Sequence, residues 1–286
     1  MFYEGSEKRL EIILKENNLL QFSDRFWGNM VAQAGACILS KIETPSIRAY
    51  LLSESSLFIW KNKLLLITCG NTHLLKAAQF FQKNVNKEQI QSLLFHRHQP
   101  ARPELQKSNF MQDYRQLYTH LQGSTQHWQG EYQGDLFFFG ELETEERYSK
   151  QLLMLHGLSG SFADRLQAGA TSTNEIITQL AVLKFFPPML IDQFTFTPKG
   201  YSLNAIAGNN YLTIHITPEK LSTYLSVESS FNEKIMQPFL SHLVVLFKPQ
   251  QSNLMFFNKK SKSSLAIKLL THYARELIKT LPARDH

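Results

Sequence analysis

The chain has 286 residues, 43% of them hydrophobic, and a formal charge of +6 from 30 Lys and Arg against 24 Asp and Glu. Such a chain can bury a large core, in one large domain or two small ones, and so mild a basic excess does not demand a nucleic-acid partner. Two cysteines, Cys37 and Cys69, support neither a disulfide framework nor a thiolate metal site.

In chain order, Ser6 can cap a helix through Leu10, Ile13 and Leu14, and Ser23 a second one with Trp27, Met30 and Val31 on one face. Ala36–Ile42, Arg48–Ser53, Leu57–Lys61 and Leu64–Thr68 read as short strands, the last two joined by a hairpin at Lys61-Asn62-Lys63. Cys37 reads as a small buried hydrophobe. Thr72 opens a helix with Leu75, Ala78 and Phe81. His96-Arg97-His98, beside Pro100 and Pro103, reads as a loop, since no third ligand stands near enough in sequence to suggest a metal. Helices follow at Asn109–Leu121, Ser149–His156 and Thr173–Phe185, with strands at Trp128–Tyr132 and Leu136–Leu142 between them. Strands at Gln193–Thr197, Tyr211–Thr217 and Thr223–Glu228, a helix over much of Phe231–Phe247, a strand at Leu254–Asn258 and a terminal helix at Leu265–Leu277 complete the chain. Hairpins outnumber strand-helix-strand crossovers, and no Gly-rich phosphate loop follows a strand. The expectation is antiparallel sheets with helices outside. No Pro-, Gly- or Ser-rich linker divides the chain, so 1–286 reads as one domain. No signal-like apolar segment opens it and no apolar run approaches a membrane span, so a cytoplasmic protein is expected.

Four segments carry chemistry: Phe2-Tyr3-Glu4-Gly5-Ser6-Glu7-Lys8; Tyr50 to Phe58 with Ser53-Glu54-Ser55-Ser56 inside it, followed by Thr68-Cys69-Gly70; Phe196 to Asn204; and Tyr211 to Glu219. In the last, Leu212, Ile214 and Ile216 alternate on one face and Tyr211, Thr213, His215 and Thr217 share the other. Together, in this order, the segments resemble the eukaryotic-type S-adenosylmethionine decarboxylase proenzymes. The resemblance implies an α+β fold, a four-layer αββα sandwich of two antiparallel sheets flanked by helices. It implies self-cleavage at Glu54-Ser55 into a β chain of 1–54 and an α chain of 55–286, with Ser55 becoming a pyruvoyl cofactor. Attack of the Ser55 hydroxyl on the Glu54 carbonyl turns an amide into a less stable ester, so a strained backbone and a hydrogen-bonded oxyanion are expected there. By resemblance, His215 removes the Ser55 α-proton, Ser202 donates to the oxyanion, and Cys69 reprotonates the substrate carbon. A thiol near its ordinary pKa of about 8.5 stays protonated at neutral pH and can serve.

The substrate implied is S-adenosylmethionine, a step toward spermidine. Tyr3 and Phe196 match the rings that sandwich adenine and attract the sulfonium, Glu219 matches the carboxylate that accepts both ribose hydroxyls, and Leu52 joins this substrate-binding set. Tyr3 departs from the usual Phe. Glu4 and Glu7 match two acids the family needs for activity and processing; as plain sequence they equally suit a helix N-terminus. Animal relatives bind putrescine among buried acids. Glu11 and Glu228 match two of these, while Arg147 and Gln151 align loosely with the others, so Arg147 is expected to supply the cation permanently and make putrescine dispensable. No metal is implied. The partners implied are the substrate and the two cleaved chains, with homodimerisation left open and no nucleic acid or membrane. Alternatives are a pyruvoyl-dependent decarboxylase of ornithine or arginine, or a non-catalytic regulatory homologue, though such subunits lose the serine that this chain keeps.

Overall fold

The structure, a computed structural model, describes residues 7–53, 55–100, 102–141, 149–197, 199–219, 222–261 and 264–275. Two antiparallel sheets face each other. The first contains β1 (Lys8–Leu14), β2 (Ile38–Glu43), β3 (Arg48–Leu52), β4 (Ser55–Ile59), β5 (Lys63–Thr68), β6 (Ile90–His98), β7 (Ser124–Trp128) and β8 (Gly134–Gly140), in the order β2-β3-β4-β5-β1-β6-β8-β7. The second contains β9 (Ser149–His156), β10 (Leu190–Thr195), β11 (Tyr201–Ala207), β12 (Asn210–Glu219), β13 (Ser222–Ser229), β14 (Gln251–Ser261) and β15 (Ser264–Thr271), in the order β10-β11-β12-β13-β9-β14-β15.

Helices α1 (Asp24–Ala34), α2 (Leu74–Asn84) and α3 (Phe110–Tyr118) cover the outside of the first sheet. Trp27, Met30, Leu75, Phe81 and Phe110 pack there on Leu10, Ile12, Leu57, Leu64 and Leu66. Ser23 caps α1 as expected, its hydroxyl accepting from the Phe26 amide, and Asn109 closes a capping box on α3. The second sheet is covered by α4 (Ser161–Ala168), α5 (Thr173–Leu180), α6 (Val182–Phe185) and α7 (Glu233–Phe247). Phe162, Ile176, Phe239 and Leu243 pack there on Leu203, Leu212, Ile214 and Val227. The layers are therefore helix, sheet, sheet, helix, as the resemblance implied. Among the described residues no helix is long and apolar enough to cross a membrane.

Three expected helices are strands. A strand buried on both faces carries apolar side chains on both, and such a run fits a helical period as well as a period of two. In β1, Leu10, Ile12 and Leu14 enter the outer core while Ile13 faces the other sheet, so the apparent i, i+3, i+4 spacing is coincidental. In β9, Leu153 and Leu155 face the helices, and Leu152 and Met154 the first sheet. The segment from Ser264 pairs along β14 as β15, and ladder bonds override the helix-forming Leu, Ala and Lys. His96-Arg97-His98 is likewise no loop; it lies in β6 between β1 and β8, and Pro100 follows the strand end. Cys37 is exposed rather than buried. The expected helix 173–185 breaks at Ala181, whose φ is 55°, and β11 and α4 had no counterpart in the sequence reading.

Candidate active site

The inner faces of the two sheets are mostly apolar. Ala49, Phe58, Trp60 and Ile67 meet Ile206 and Tyr211 in one cluster, and Leu94, Leu136 and Phe138 meet Leu152, Met154 and Phe257 in another. Alongside them the central strands carry buried polar residues: Glu7, Arg9 and Glu11 in and next to β1, Thr213 and His215 in β12, Ser226 and Glu228 in β13, and Lys150 in β9.

Ser55 opens β4 with φ of 129°, a region that a residue with a Cβ adopts only under strain. Successive side chains on a strand point to opposite faces. Here both Ser55 and Ser56 reach the same imidazole: Ser55 Oγ lies 3.0 Å and Ser56 Oγ 3.1 Å from His215 Nε2. The unusual φ breaks the alternation and turns two consecutive hydroxyls onto one ring. Ser202 stands opposite His215 in the β11–β12 register.

Behind the histidine, Nδ1 lies 3.1 Å from Glu7 Oε1. Burial pushes the Glu7 carboxyl up, but attraction from Arg9, with hydrogen bonds from His215 and Ser226, outweighs it and holds the pKa near 2. An ionised carboxylate only accepts hydrogen bonds, so Nδ1 carries the proton and Nε2 offers a lone pair to the serines. Arg9 also donates from Nη2 to Glu7 and from Nε to Glu228 at 2.5 Å. Lys150 Nζ reaches Glu11 at 3.1 Å and Glu228 at 3.4 Å, and Tyr211 donates to Glu228 at 2.7 Å. Burial disfavours charge on Glu228, yet Lys150 and Arg9 outweigh it and lower its pKa; burial likewise opposes charge on Lys150, and Glu11 and Glu228 prevail. A ladder of alternating charges thus runs from the serine to the far side of the sheets.

Glu11 and Glu228 are together, as expected, but the cations described beside them are Arg9 and Lys150. Arg147 lies outside the described residues. The alternation of β9, with Lys150, Leu152 and Met154 facing inward, puts Gln151 on the opposite face. Arg9 was legible in principle: Glu7, Arg9 and Glu11 recur at a spacing of two, which shares a face in a strand and is scattered on a helix.

Cys69 is buried and follows Thr68, which pairs with Ser55 across β4–β5. Its turn is held by Thr72, whose hydroxyl reaches the Cys69 carbonyl at 3.0 Å, and by buried Lys8, which donates to the Gly70 and Thr72 carbonyls at 2.8 Å each. The strand end before residue 54 is held by Cys37: its amide donates to Ser53 Oγ at 3.0 Å, and its carbonyl accepts from the Ser53 amide at 2.9 Å.

Phe196 is half-buried, with its ring 4.9 Å from that of Phe194 and its amide bonded to the Gly200 carbonyl. Gly200 has φ of 140°, a conformation that residues with a Cβ rarely adopt, so the turn calls for glycine. Glu219 ends β12 and is half-buried. The Leu52 side chain packs in the helix-side core, and the residue is fully buried between Ile38 of β2 and Ser55 of β4. Tyr3, Glu4 and Glu54 lie outside the described residues. Among the described residues no group of three or more His, Cys, Asp or Glu could hold a metal ion.

Fold and site together define an αββα-sandwich protein with a serine, a histidine and a carboxylate in relay between its sheets. The chain belongs to the adenosylmethionine decarboxylase family, whose model matches residues 1–280. It is 31% identical over 252 residues to the S-adenosylmethionine decarboxylase proenzyme of Trypanosoma cruzi, covering 80% of this chain and 68% of that one. It is 27% identical to the proenzyme of the same name from Xenopus laevis, covering 91% and 85%. The crystal structure of the Trypanosoma brucei AdoMetDC-delta26 monomer superposes with a TM-score of 0.56 at 20% identity, over 70% of this chain and 79% of that one, a likeness of fold.

Proposed function

We propose that this chain is a proenzyme, one domain over 1–286, that cuts itself between Glu54 and Ser55 and then decarboxylates S-adenosylmethionine to the aminopropyl donor of spermidine synthesis. The observation that carries this is the strained Ser55 with its hydroxyl on His215 Nε2 and Glu7 behind Nδ1. His215 accepts the Ser55 hydroxyl proton as Oγ attacks the Glu54 carbonyl, and the chain passes from amide to ester. Relief of the strain at Ser55 offsets part of the cost of that unfavourable exchange. His215 then removes the Ser55 α-proton, the ester C–O bond breaks, and Glu54 leaves as a carboxylate. Water converts the residual enamine to a ketone and releases ammonia. Ser202, opposite His215, is the donor assigned to the oxyanion.

The residues present fit a pyruvoyl group: the serine that would become it is buried beside a base and next to the strand that leads into Cys69. Such a group supplies a ketone that holds an α-amine and draws electrons from the bond to the departing carboxylate. Cys69 Sγ delivers a proton to the substrate carbon left behind. Phe196, with Tyr3, stacks on adenine, and Glu219 accepts the ribose hydroxyls. A half-buried ring just after β10 and a half-buried carboxylate at the end of β12, two strands apart in one sheet, suit a nucleoside, whereas a bare amino acid needs neither.

Intact-mass analysis of the purified chain, with release of labelled carbon dioxide from S-adenosylmethionine, ornithine and arginine, tests this. Two chains meeting at residue 55, and turnover of S-adenosylmethionine alone, are expected. An uncut chain that decarboxylates would sink the mechanism, and turnover of ornithine or arginine would sink the substrate.

A further inference from the structure

Three hydroxyls surround the single lone pair on His215 Nε2. Ser55 Oγ is 3.0 Å away, Ser56 Oγ 3.1 Å and Thr213 Oγ1 3.3 Å. Only Ser55 is joined to residue 54 by the peptide bond to be cut. A proton donated to Nε2 by Ser56 or Thr213 would fill the lone pair that Ser55 needs.

Asn204, on β11 of the facing sheet, bears on this competition. Its Nδ2 donates to the Tyr50 carbonyl at 3.0 Å, and a carbonyl can only accept, so that bond fixes which end of the amide is oxygen. Oδ1 then points at the other two hydroxyls and accepts from Ser56 at 2.6 Å and from Thr213 at 3.1 Å. A hydroxyl has one proton. With both protons on Asn204 Oδ1, Ser56 and Thr213 turn lone pairs toward His215, and Ser55 is left as the donor to Nε2. Asn204 is itself fully buried, and its bond to Tyr50 ties it to the strand that leads into the scissile turn.

We propose that Asn204 is a positioning residue for self-cleavage: it draws the Ser56 and Thr213 protons away from His215, so that the base is reserved for Ser55. This rests on the self-cleavage proposed above. It differs from a packing role in one respect: if Asn204 acts by removing competitors, deleting those competitors makes it dispensable.

The test uses the full-length chain as wild type, as Asn204→Leu, and as Asn204→Leu combined with Ser56→Ala and Thr213→Val. Each is checked for cooperative thermal unfolding, and the uncut fraction is followed by gel and intact mass. Asn204→Leu is expected to cut about tenfold more slowly, the effect of one lost hydrogen-bond preference on a rate. The triple variant is expected to recover to within about threefold of wild type, since replacing the amide and both competing hydroxyls by apolar groups of like shape leaves no competing proton for Nε2. Should Asn204→Leu fail to fold, Asn204→Ala carries the same two expectations. Wild-type speed in the single variant overturns the role, and so does a triple variant as slow as the single one, which would mark Asn204 as a packing residue. A wild type that never cuts overturns the self-cleavage proposal itself, and that outcome is read from the wild type alone.

Discussion

Replacing Arg9 by Met probes the charge ladder behind His215. Arg9 is fully buried and bonded to both Glu7 and Glu228. The lowering of Glu7 from 4.5 to about 2 corresponds to roughly 3 kcal/mol in favour of its carboxylate, most of it owed to Arg9 acting against burial. Removing one partner of a buried ion pair costs about 3–5 kcal/mol, so Arg9→Met should lose about 3 kcal/mol of stability at pH 7 in urea melts. The sign with pH is fixed. In the wild type the folded pKa of Glu7 is depressed, so its contribution is present above about 4.5 and is lost as pH falls through about 2. In Arg9→Met burial acts with less opposition and raises the Glu7 pKa, so the variant regains stability relative to wild type as pH drops from 7 to 5. A protonated Glu7 holds the Nδ1 proton of His215 less firmly than a carboxylate does, and self-cleavage should slow by an order of magnitude or more. Millimolar putrescine, a dication, should restore part of the rate in Arg9→Met and leave the wild type unchanged, because Arg9 and Lys150 already neutralise Glu228 and Glu11. A variant within 1 kcal/mol of wild type at pH 7, cut at the normal rate, would refute this account of Arg9. Strong putrescine activation of the wild type would refute the neutralisation argument.

Ser55→Ala should stay a single chain without decarboxylase activity, read by intact mass and carbon dioxide release. His215→Ala should stall, and hydroxylamine should cleave whatever ester has formed; normal processing would place the base elsewhere. Cys69→Ala should process but inactivate within fewer turnovers through protonation at the wrong carbon, and an unchanged ratio of turnover to inactivation would remove Cys69 from the donor role. Burial holds His98 at about 3 and His156 at about 4, with the two rings stacked 5.3 Å apart. Both must take up a proton on unfolding below their ordinary 6.5, so stability should fall as pH drops from about 6.5 toward 4. His98→Gln should flatten that slope in denaturant melts run at a series of pH values.

Much of the site was legible because its residues sit in short segments with a period of two. Tyr211 to Thr217 alternates as read, and Thr213 and His215 do share the inner face. Strands bounded by tight turns, such as β4 and β5 around Lys61-Asn62-Lys63, were found for the same reason. Strands buried on both faces were not. β9 has apolar residues on either side, and no local pattern separates it from a helix; in β1 the apolar Ile13 beside Ile12 and Leu14 masked an alternation of Glu7, Arg9 and Glu11 with Leu10 and Ile12. That error hid Arg9 and Lys150, since each acquires its meaning only when its strand places it opposite an acid from another strand. Asn204, Ser56 and Ser226 escaped for a different cause: each is a small polar residue whose partners come from across the sandwich, at separations that sequence spacing cannot express.

The position of β1 has a consequence for the cut protein. A break at residue 54 would leave β1, β2, β3 and α1 on the shorter piece, and β1 lies between β5 and β6, both on the longer one. β3 stays paired to β4 across the break. Such a cut severs one covalent link and no ladder bond between described strands, so the pieces remain interleaved, as two combs pushed together, and should copurify under native conditions. The way back is another matter. Once denatured, the pieces must find each other in solution before the central strand can be inserted, so refolding becomes second order and its yield depends on concentration. The uncut precursor folds as one chain at any dilution, and maturation exchanges that reversible fold for one that the protein can assemble efficiently only once.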